Sequence, residues 1–397
     1  MRRPRYLAPL LAVSLLLALV LGIYWGGHPS SLPPFARNAL VGDSDGRVFD
    51  EAIGKIERDY YRKVDPSQLL TTSLSAAVQS LNDRFSTYIP PSGYSDFEQS
   101  TQGQFEGVGM TVQSAKGGGL EVVTVYDGSP AKAGGVKPGD RIVAVDGRSV
   151  VGRTTTQATA LIKGKAGTSV TLTLERGGAR HDVTLKRAEV DVPVVRTKLE
   201  RFDGKKIGWV ALSSFTAGAG GEVDADTRRL IAQGAQGIVL DLRDNGGGLL
   251  DEAVQVASVF IPQGRIVSTK GRSRPEHVYD ATGGAISPKL PMAVLVNGNT
   301  ASSSEIVTGA LQDHKRATVV GTHTYGKGVF QEIEDLSNGG ALDITVGEYF
   351  TPNGRNLGGG GVRKGAGITP DVQAQDDPKT PKDEALDVAL RVVAQKL

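Results

Sequence analysis

Residues 294–315 read VLVNGNTASSSEIVTGALQDHK, and residues 322–332 read THTYGKGVFQE. An apolar run, Met292–Val296, enters the turn Asn297-Gly298-Asn299. Ile306, Val307, Ala310 and Leu311 then recur at the spacing of one helix face. Residues 300–304 therefore sit where a strand passes into a helix. Such a junction can hold a side-chain oxygen exposed, beside backbone N–H groups at a helix start. Three serines compete for that place: Ser302, Ser303 and Ser304. A second apolar run spans 317–320, and the turn Gly326-Lys327-Gly328 follows it.

Each piece alone has a plain explanation. A serine at a helix start is commonly a cap, and a lysine between glycines is commonly a solvated turn residue. Together they offer more. A serine nucleophile needs a base, and a lysine serves if it is neutral. Lowering a lysine from about 10.4 to near 7–8 is a shift of roughly 3 units, or about 4 kcal/mol. Burial in an apolar pocket supplies such a shift. Tyr325, Val329 and Phe330 stand close enough in sequence to contribute.

On these residues the chain resembles the C-terminal processing peptidases, also called tail-specific proteases. That family places its nucleophile at the third position of a [ST]-A-S-x-S-E segment, here Ser302. Its lysine base lies 25 positions later in a G-K-G turn, and 327 − 302 = 25 selects Lys327. The resemblance implies that Gln331 assists the lysine. Thr300 stands where Ser is commoner, at a position that is not the nucleophile. Residues 241–248, DLRDNGGG, match the family's D-L-R-x-N-x-G-G. By resemblance, the N–H groups of Gly247 and Ser303 form an oxyanion hole, where glycine lets the chain approach the scissile carbonyl. The same glycines do not make a dinucleotide fingerprint, because Asp251 occupies the third glycine position. The implied fold is multidomain α/β: an N-terminal helical module, a PDZ-like β domain and a protease core related to the crotonase/Clp-like fold.

Composition sets wider bounds. The 397 residues suggest two or three domains. The 45 basic and 43 acidic residues leave a net charge of +2, which argues against nucleic acid as a partner. Cysteine is absent, so disulfides, thiolate metal sites, a cysteine nucleophile and a lipoprotein anchor are excluded. No cofactor and no metal are expected. The 52 glycines are nearly twice the usual share of about 7 %.

Residues 1–5 carry Arg2, Arg3 and Arg5, and residues 6–27 form an uncharged, mostly apolar run. Roughly 20 such residues span a bilayer, and Tyr24 and Trp25 sit where an aromatic belt would lie. The expectation is an uncleaved signal anchor with the remainder extracytoplasmic; a cleaved signal peptide is the alternative. Residues 28–42 read as a proline-broken linker. Residues 43–100 read as a helical module that carries no chemistry, with Asp65-Pro66 starting its second helix. The segment Leu81-Asn-Asp-Arg-Phe-Ser-Thr-Tyr88 looks like the family's helix-to-turn signature.

Residues 101–188 are glycine-rich and strand-like, and resemble a PDZ domain. VKPGDRIVAVDG, 136–147, is the most recognisable stretch, with Asp146-Gly147 as a tight hairpin. Gly107-Val108-Gly109-Met110 resembles the carboxylate-binding loop and is expected to open a strand. A substrate tail would then add as a strand beside residues 107–113, its carboxylate in a nest of N–H groups. Residues 189–378 read as the protease core. Strands are expected at 206–212, 237–243, 342–346 and 348–351, and helices at 224–232 and 249–260. Residues 379–397 read as a C-terminal helix whose capping box uses Thr380, Pro381 and Asp383. It is expected to dock on the domain or on a second subunit.

The expected partners are protein substrates with free, apolar C-termini; an adaptor protein and a homo-oligomer stay open. Three rival readings remain. A Ser-His-Asp protease would need His314 or His323 near the serine. A non-catalytic tail-binding scaffold would need the core to be structural only. A hydratase on the crotonase-like fold would need an acyl-CoA site.

Overall fold

The computed structural model describes residues 21–22 and 44–397. The expected signal anchor and linker lie outside the described residues, apart from Leu21 and Gly22. Among the described residues no helix is long and apolar enough to cross a membrane. Compact packing divides the chain after Asn82. The first unit contains α1 (Ser44–Asp59) and α2 (Pro66–Gln79). The Asp65 side chain accepts the Ser67 N–H at 2.9 Å, and Pro66 occupies the first helical position, as the sequence suggests.

The second unit begins with β1 (Thr87–Ile89), α3 (Pro91–Gln102) and β2 (Gln104–Gly107). A compact β module follows: β3 (Met110–Ser114), β4 (Leu120–Val125), α4 (Pro130–Ala133), β5 (Arg141–Val145), β6 (Arg148–Ser149), α5 (Thr155–Ile162), β7 (Ser169–Arg176) and β8 (Ala179–Lys186). Its sheet runs β3-β4-β5-β7-β8, with β6 on β5. Leu120, Val122, Ile142, Val145, Leu172 and Leu174 form its core with Ala158 and Ile162 of α5. The hairpin at Asp146-Gly147 is as expected, both residues at positive φ (47° and 71°), the conformation that a two-residue loop demands. The loop at 107–110 differs from expectation. Gly107 ends β2, Met110 opens β3, and Gly109 turns the chain between them at φ 80°. β9 (Ala188–Asp191) closes the module by pairing antiparallel with β2, so that Gly107 faces Ala188.

The core that follows comprises β10 (Val195–Phe202), β11 (Lys205–Leu212), α6 (Ala219–Ala232), β12 (Gly237–Asp241), α7 (Leu250–Phe260), β13 (Arg265–Lys270), β14 (His277–Asp280), β15 (Met292–Val296), α8 (Ser303–Asp313), β16 (Thr318–Gly321), β17 (Val329–Asp335), β18 (Ala341–Phe350), β19 (Val372–Gln373) and α9 (Glu384–Ala394). Its main sheet has the order β10-β11-β12-β15-β16-β19, parallel from β11 onward. GIVL, ahead of Asp241, and MAVLV are unbroken apolar runs because both faces of these strands are covered. Ile238, Leu240, Met292 and Val294 meet α6, α7 and α8 on one side. Val239, Ala293 and Leu295 meet Ala389, Leu390 and Val393 of α9 on the other. The C-terminal helix thus docks on its own domain.

A second sheet is built on β18, which pairs with β1, β13 and β17. Two strands were expected here, separated at Gly347, but β18 is continuous. Glycine at 347 answers to crowding, since a Cβ there would lie 2.6 Å from Lys270 O and 2.7 Å from the Phe330 ring. The cap of α9 also differs. Asp383 is the N-cap, accepting the Leu386 N–H at 2.9 Å, and Thr380 bonds Glu384 instead.

Candidate active site

Ser302 sits at φ 57°, ψ −121°, a conformation that non-glycine residues adopt only when their surroundings impose it. Those surroundings are identifiable. The Ala301 N–H donates to Asn245 O at 3.0 Å, and the Thr300 hydroxyl donates to Leu242 O at 2.8 Å. Ser303 and Ser304 direct their hydroxyls to the carbonyls of Gly248 and Asn245, at 2.8 and 2.9 Å. Two of the three competing serines therefore stitch the Ser302 loop to the DLRDNGGG turn. Ser302 instead faces a cavity of about 510 Å³ that Lys327 and Gln331 also line.

Glu305 ties the two halves of this site together. It is fully buried, and its carboxylate accepts four hydrogen bonds. Oε1 takes the Thr324 hydroxyl at 2.5 Å and the Gly326 N–H at 2.7 Å. Oε2 takes the N–H groups of Ser302 and Lys327, each at 3.0 Å. Burial pushes the Glu305 carboxyl up, against the pull of those donors. One side chain thus fixes the backbone at both Ser302 and Lys327.

Lys327 is half-buried, and burial pushes its amine below the ordinary lysine value. The carboxylates of Asp343, Asp83 and Glu305 oppose that push, and the charge of Arg84 adds to it. Its Nζ donates to Gln331 Oε1 at 2.6 Å and lies 4.5 Å from the centroid of the Phe85 ring. Gln331 in turn donates from Nε2 to Thr345 Oγ1 at 2.9 Å. Tyr349 is buried beneath the pair; its hydroxyl donates to Lys327 O and is also a hydrogen-bond partner of the Ser302 side chain. Burial drives that phenol well above its usual pKa.

The DLRDNGGG turn is held on both sides. Asn245 donates from Nδ2 to Leu212 O at 2.8 Å, and its Oδ1 accepts the Gly247 N–H at 2.9 Å. In this structure that N–H, expected to face an oxyanion, is engaged inside its own turn. What Gly247 provides is closeness: at φ 105°, a Cβ would lie 2.8 Å from Ser302 Cβ and 3.0 Å from Ser303 N. Asp244 accepts from Asn297 and Asn299 Nδ2 at 3.0 and 2.8 Å, locking this turn to the loop that leads into Ser302. Arg243 bonds Asp241 behind it and Asp383 at the start of α9.

Neither histidine near the motif enters the cavity. His314 bonds Arg265 O at 2.7 Å, and His323 bonds Thr369 Oγ1 at 3.2 Å. Among the described residues no group of His, Cys, Asp or Glu is placed to hold a metal ion.

In the β module, Gly107, Val108, Gly109 and Met110 line a small groove with Thr159, Ile162 and Lys163 of and after α5. β3 is an edge strand of its sheet, so its outer side is free to pair. Gly109 does not point its missing side chain at that groove. A Cβ there would lie 2.2 Å from Ser129 Cβ and 3.1 Å from Val190.

Sequence reasoning missed Asp83, Arg84, Phe85, Thr345, Asp343 and Tyr349. Residues 83–85, inside the segment read as a helical module without chemistry, lie beside the lysine. No local periodicity marks them, because strand pairing of β1 on β18 brings them there. Glu305 was quoted inside its motif, and only the fold reveals what its carboxylate joins.

An α/β sheet with a serine held in this way, beside a separate β module, is the layout of a serine hydrolase with an added recognition domain. Comparison with known proteins narrows the class. The family model of peptidase family S41 matches residues 206–374, and a PDZ-domain model matches residues 121–176. A carboxy-terminal-processing protease of Bartonella bacilliformis is 36% identical over 347 residues, 86% of this chain and 77% of that protein. The carboxy-terminal processing protease CtpA of Bacillus subtilis is 32% identical over 377 residues, 94% of this chain and 78% of that protein. The crystal structure of a putative S41 protease from Bacteroides fragilis matches in fold with a TM-score of 0.51 at 19% identity, covering 85% of this chain and 92% of that one. The chain belongs to peptidase family S41, among the carboxy-terminal processing serine proteases, and carries a PDZ domain.

Proposed function

We propose that this protein is a membrane-anchored, extracytoplasmic endopeptidase that works through a Ser302–Lys327 dyad. Ser302 attacks the peptide carbonyl as its Oγ proton passes to the neutral Lys327 amine. The resulting ammonium returns the proton to the leaving amine. Gln331 orients the amine by accepting one of its N–H groups. The Ser303 N–H at the helix start stabilises the oxyanion, together with an N–H from the turn at 245–248. The observation that carries this reading is the Lys327 amine itself: half-buried, anchored on Gln331 and sharing a cavity with a strained serine. The Lys327 amine is bonded to Gln331 and not to Ser302, and such contacts commonly tighten only with substrate bound.

The PDZ groove would receive the substrate's C-terminal tail along β3, so that chains with free, apolar and unstructured ends are preferred. The N-terminal arginines and the apolar run at 6–27 support the anchor and the outward orientation. Ser302→Ala and Lys327→Ala should each lower kcat by roughly four orders of magnitude, and the double variant should be little worse, because the residues act as a unit. Gln331→Ala should be milder. A Lys327→Ala enzyme with near-normal turnover of an unstructured, apolar-tailed protein would overturn the dyad.

A further inference from the structure

The Gln331 amide can face Lys327 with its oxygen or with its nitrogen, and only the oxygen anchors a lysine base. Something must choose between the two. The hydrogen bonds around it run in one direction. Gln331 Nε2 donates to Thr345 Oγ1 at 2.9 Å. The Thr345 hydroxyl, having accepted there, has its own proton to place, and its partner is the Asp83 carboxyl. The Thr345 N–H donates to Ser86 Oγ at 3.0 Å, and the Ser86 hydroxyl donates to Asp83 Oδ2 at 2.7 Å. The Phe85 N–H donates to Asp83 Oδ1 at 3.0 Å. An ionised carboxylate only accepts, so every link ahead of it is forced to point toward Asp83.

The geometry behind this chain is built by strands. Gln331 and Thr345 are cross-strand partners on β17 and β18, next to a register shift between Phe330 and Gln331. β1 pairs with β18, with Thr87 opposite Asp343, and that pairing carries residues 83–86 to the lysine. Phe85 arrives with them, its ring 4.5 Å from Lys327 Nζ.

We propose that Asp83, acting through Thr345, fixes the polarity of the Gln331 amide, while Phe85 closes the dry side of the Lys327 amine. These three are positioning residues for the base, and the inference rests on Lys327 being that base. A bond to Gln331 Oε1 uses one N–H of the neutral amine and holds its rotation. The lone pair is then left for the serine proton. When that proton arrives, the new ammonium meets an amide oxygen and an aromatic face, both of which favour a cation without solvent. The Asp83 carboxyl is held below its ordinary value: burial raises it, and the donors Thr345, Phe85 N–H and Ser86 and the Lys327 charge outweigh burial. It stays an acceptor throughout the working range.

The test uses the full-length enzyme in detergent or membranes, with an unstructured, apolar-tailed protein as substrate. Thr345→Val keeps the shape and removes the hydroxyl; Thr345→Ser keeps the hydroxyl. Thr345→Val should lower kcat about 10- to 100-fold, with KM unchanged, and Thr345→Ser should restore most of it. Asp83→Ala should resemble Thr345→Val in kcat, although it also removes a charge, so the threonine pair decides. Phe85→Ala should admit water, which stabilises the ammonium more than the lost ring face does, and so move the pH limb of kcat/KM upward. Phe85→Leu, still apolar, should move it less. The limb is read against the groups facing the amine, Asp83, Arg84, Glu305 and Asp343. Wild-type kcat in Thr345→Val overturns the inference, and so does equal damage in Thr345→Ser, which would indicate packing alone. Inactive Lys327→Ala beside unaffected Thr345→Val sinks this inference and leaves the dyad standing. Active Lys327→Ala removes both.

Discussion

At the scale of single residues, Lys327 and Glu305 show burial acting in opposite directions on one site. Burial disfavours charge, so it lowers the lysine and raises the carboxyl. For the lysine the sign is useful. As pH rises through its lowered pKa the neutral fraction grows, so kcat/KM should climb with pH and level off below the free-lysine value of about 10.4. A limb found at that free value would show that the wall around Nζ does not act. The unfolded chain binds that proton more tightly than the native one. Stability should therefore also rise with pH between the folded and unfolded lysine values. Glu305 makes a second prediction. In Glu305→Gln, an amide nitrogen must face donors it cannot accept. Leaving such groups unpaired costs about 1–3 kcal/mol each, so the variant should lose melting temperature and kcat together. Unchanged values of both would refute its role as the tie between Ser302 and Lys327. Ser302, Lys327 and Gln331 were singled out by the family motif and its spacing, and the structure brings all three to one cavity. Asp83 and Phe85 were not, since some 240 residues separate them from the lysine.

At the scale of elements, β12 and β15 fall where the sequence led one to expect a strand and an apolar run, and the structure covers both faces of them. β10 went unread. Its residues VRTKLERF alternate and carry charge, as suits an edge strand with one open side. Gly347 misled because a glycine inside a strand pattern reads as a break, when here it marks close approach. Gly109 teaches the same lesson in the PDZ domain. A side chain there would strike Ser129 and Val190, so Gly109→Val would damage the module and not test peptide binding. Lys163 is the cleaner probe, being exposed and lining the groove at the end of α5. Lys163→Glu puts a like charge beside an incoming carboxylate. It should raise KM severalfold for a free-ended substrate and much less for the same substrate amidated at its C-terminus. Equal KM changes for the two substrates would mean the groove does not read the carboxylate.

At the scale of the whole molecule, one ion cluster joins distant parts of the chain. Arg243 reaches from the DLRDNGGG turn to Asp376 and Asp383, so the cap of the last helix is bonded to the turn beside Ser302. The PDZ domain is joined quite differently. It enters and leaves through β2 and β9, which pair with each other and set Gly107 opposite Ala188. Topologically, the entire domain is then the loop of a hairpin. Excising 108–187 and closing the stem with a two-residue Asn-Gly turn asks nothing new of the core. The shortened protein should fold, keep its melting transition and still cleave a short peptide. Failure to fold would mean the domain is structurally indispensable. If it folds, its rate on long-tailed proteins separates delivery, seen as a fall, from restraint, seen as a rise. A protease whose recognition domain hangs on a single stem can exchange that domain during evolution without rebuilding its catalytic centre.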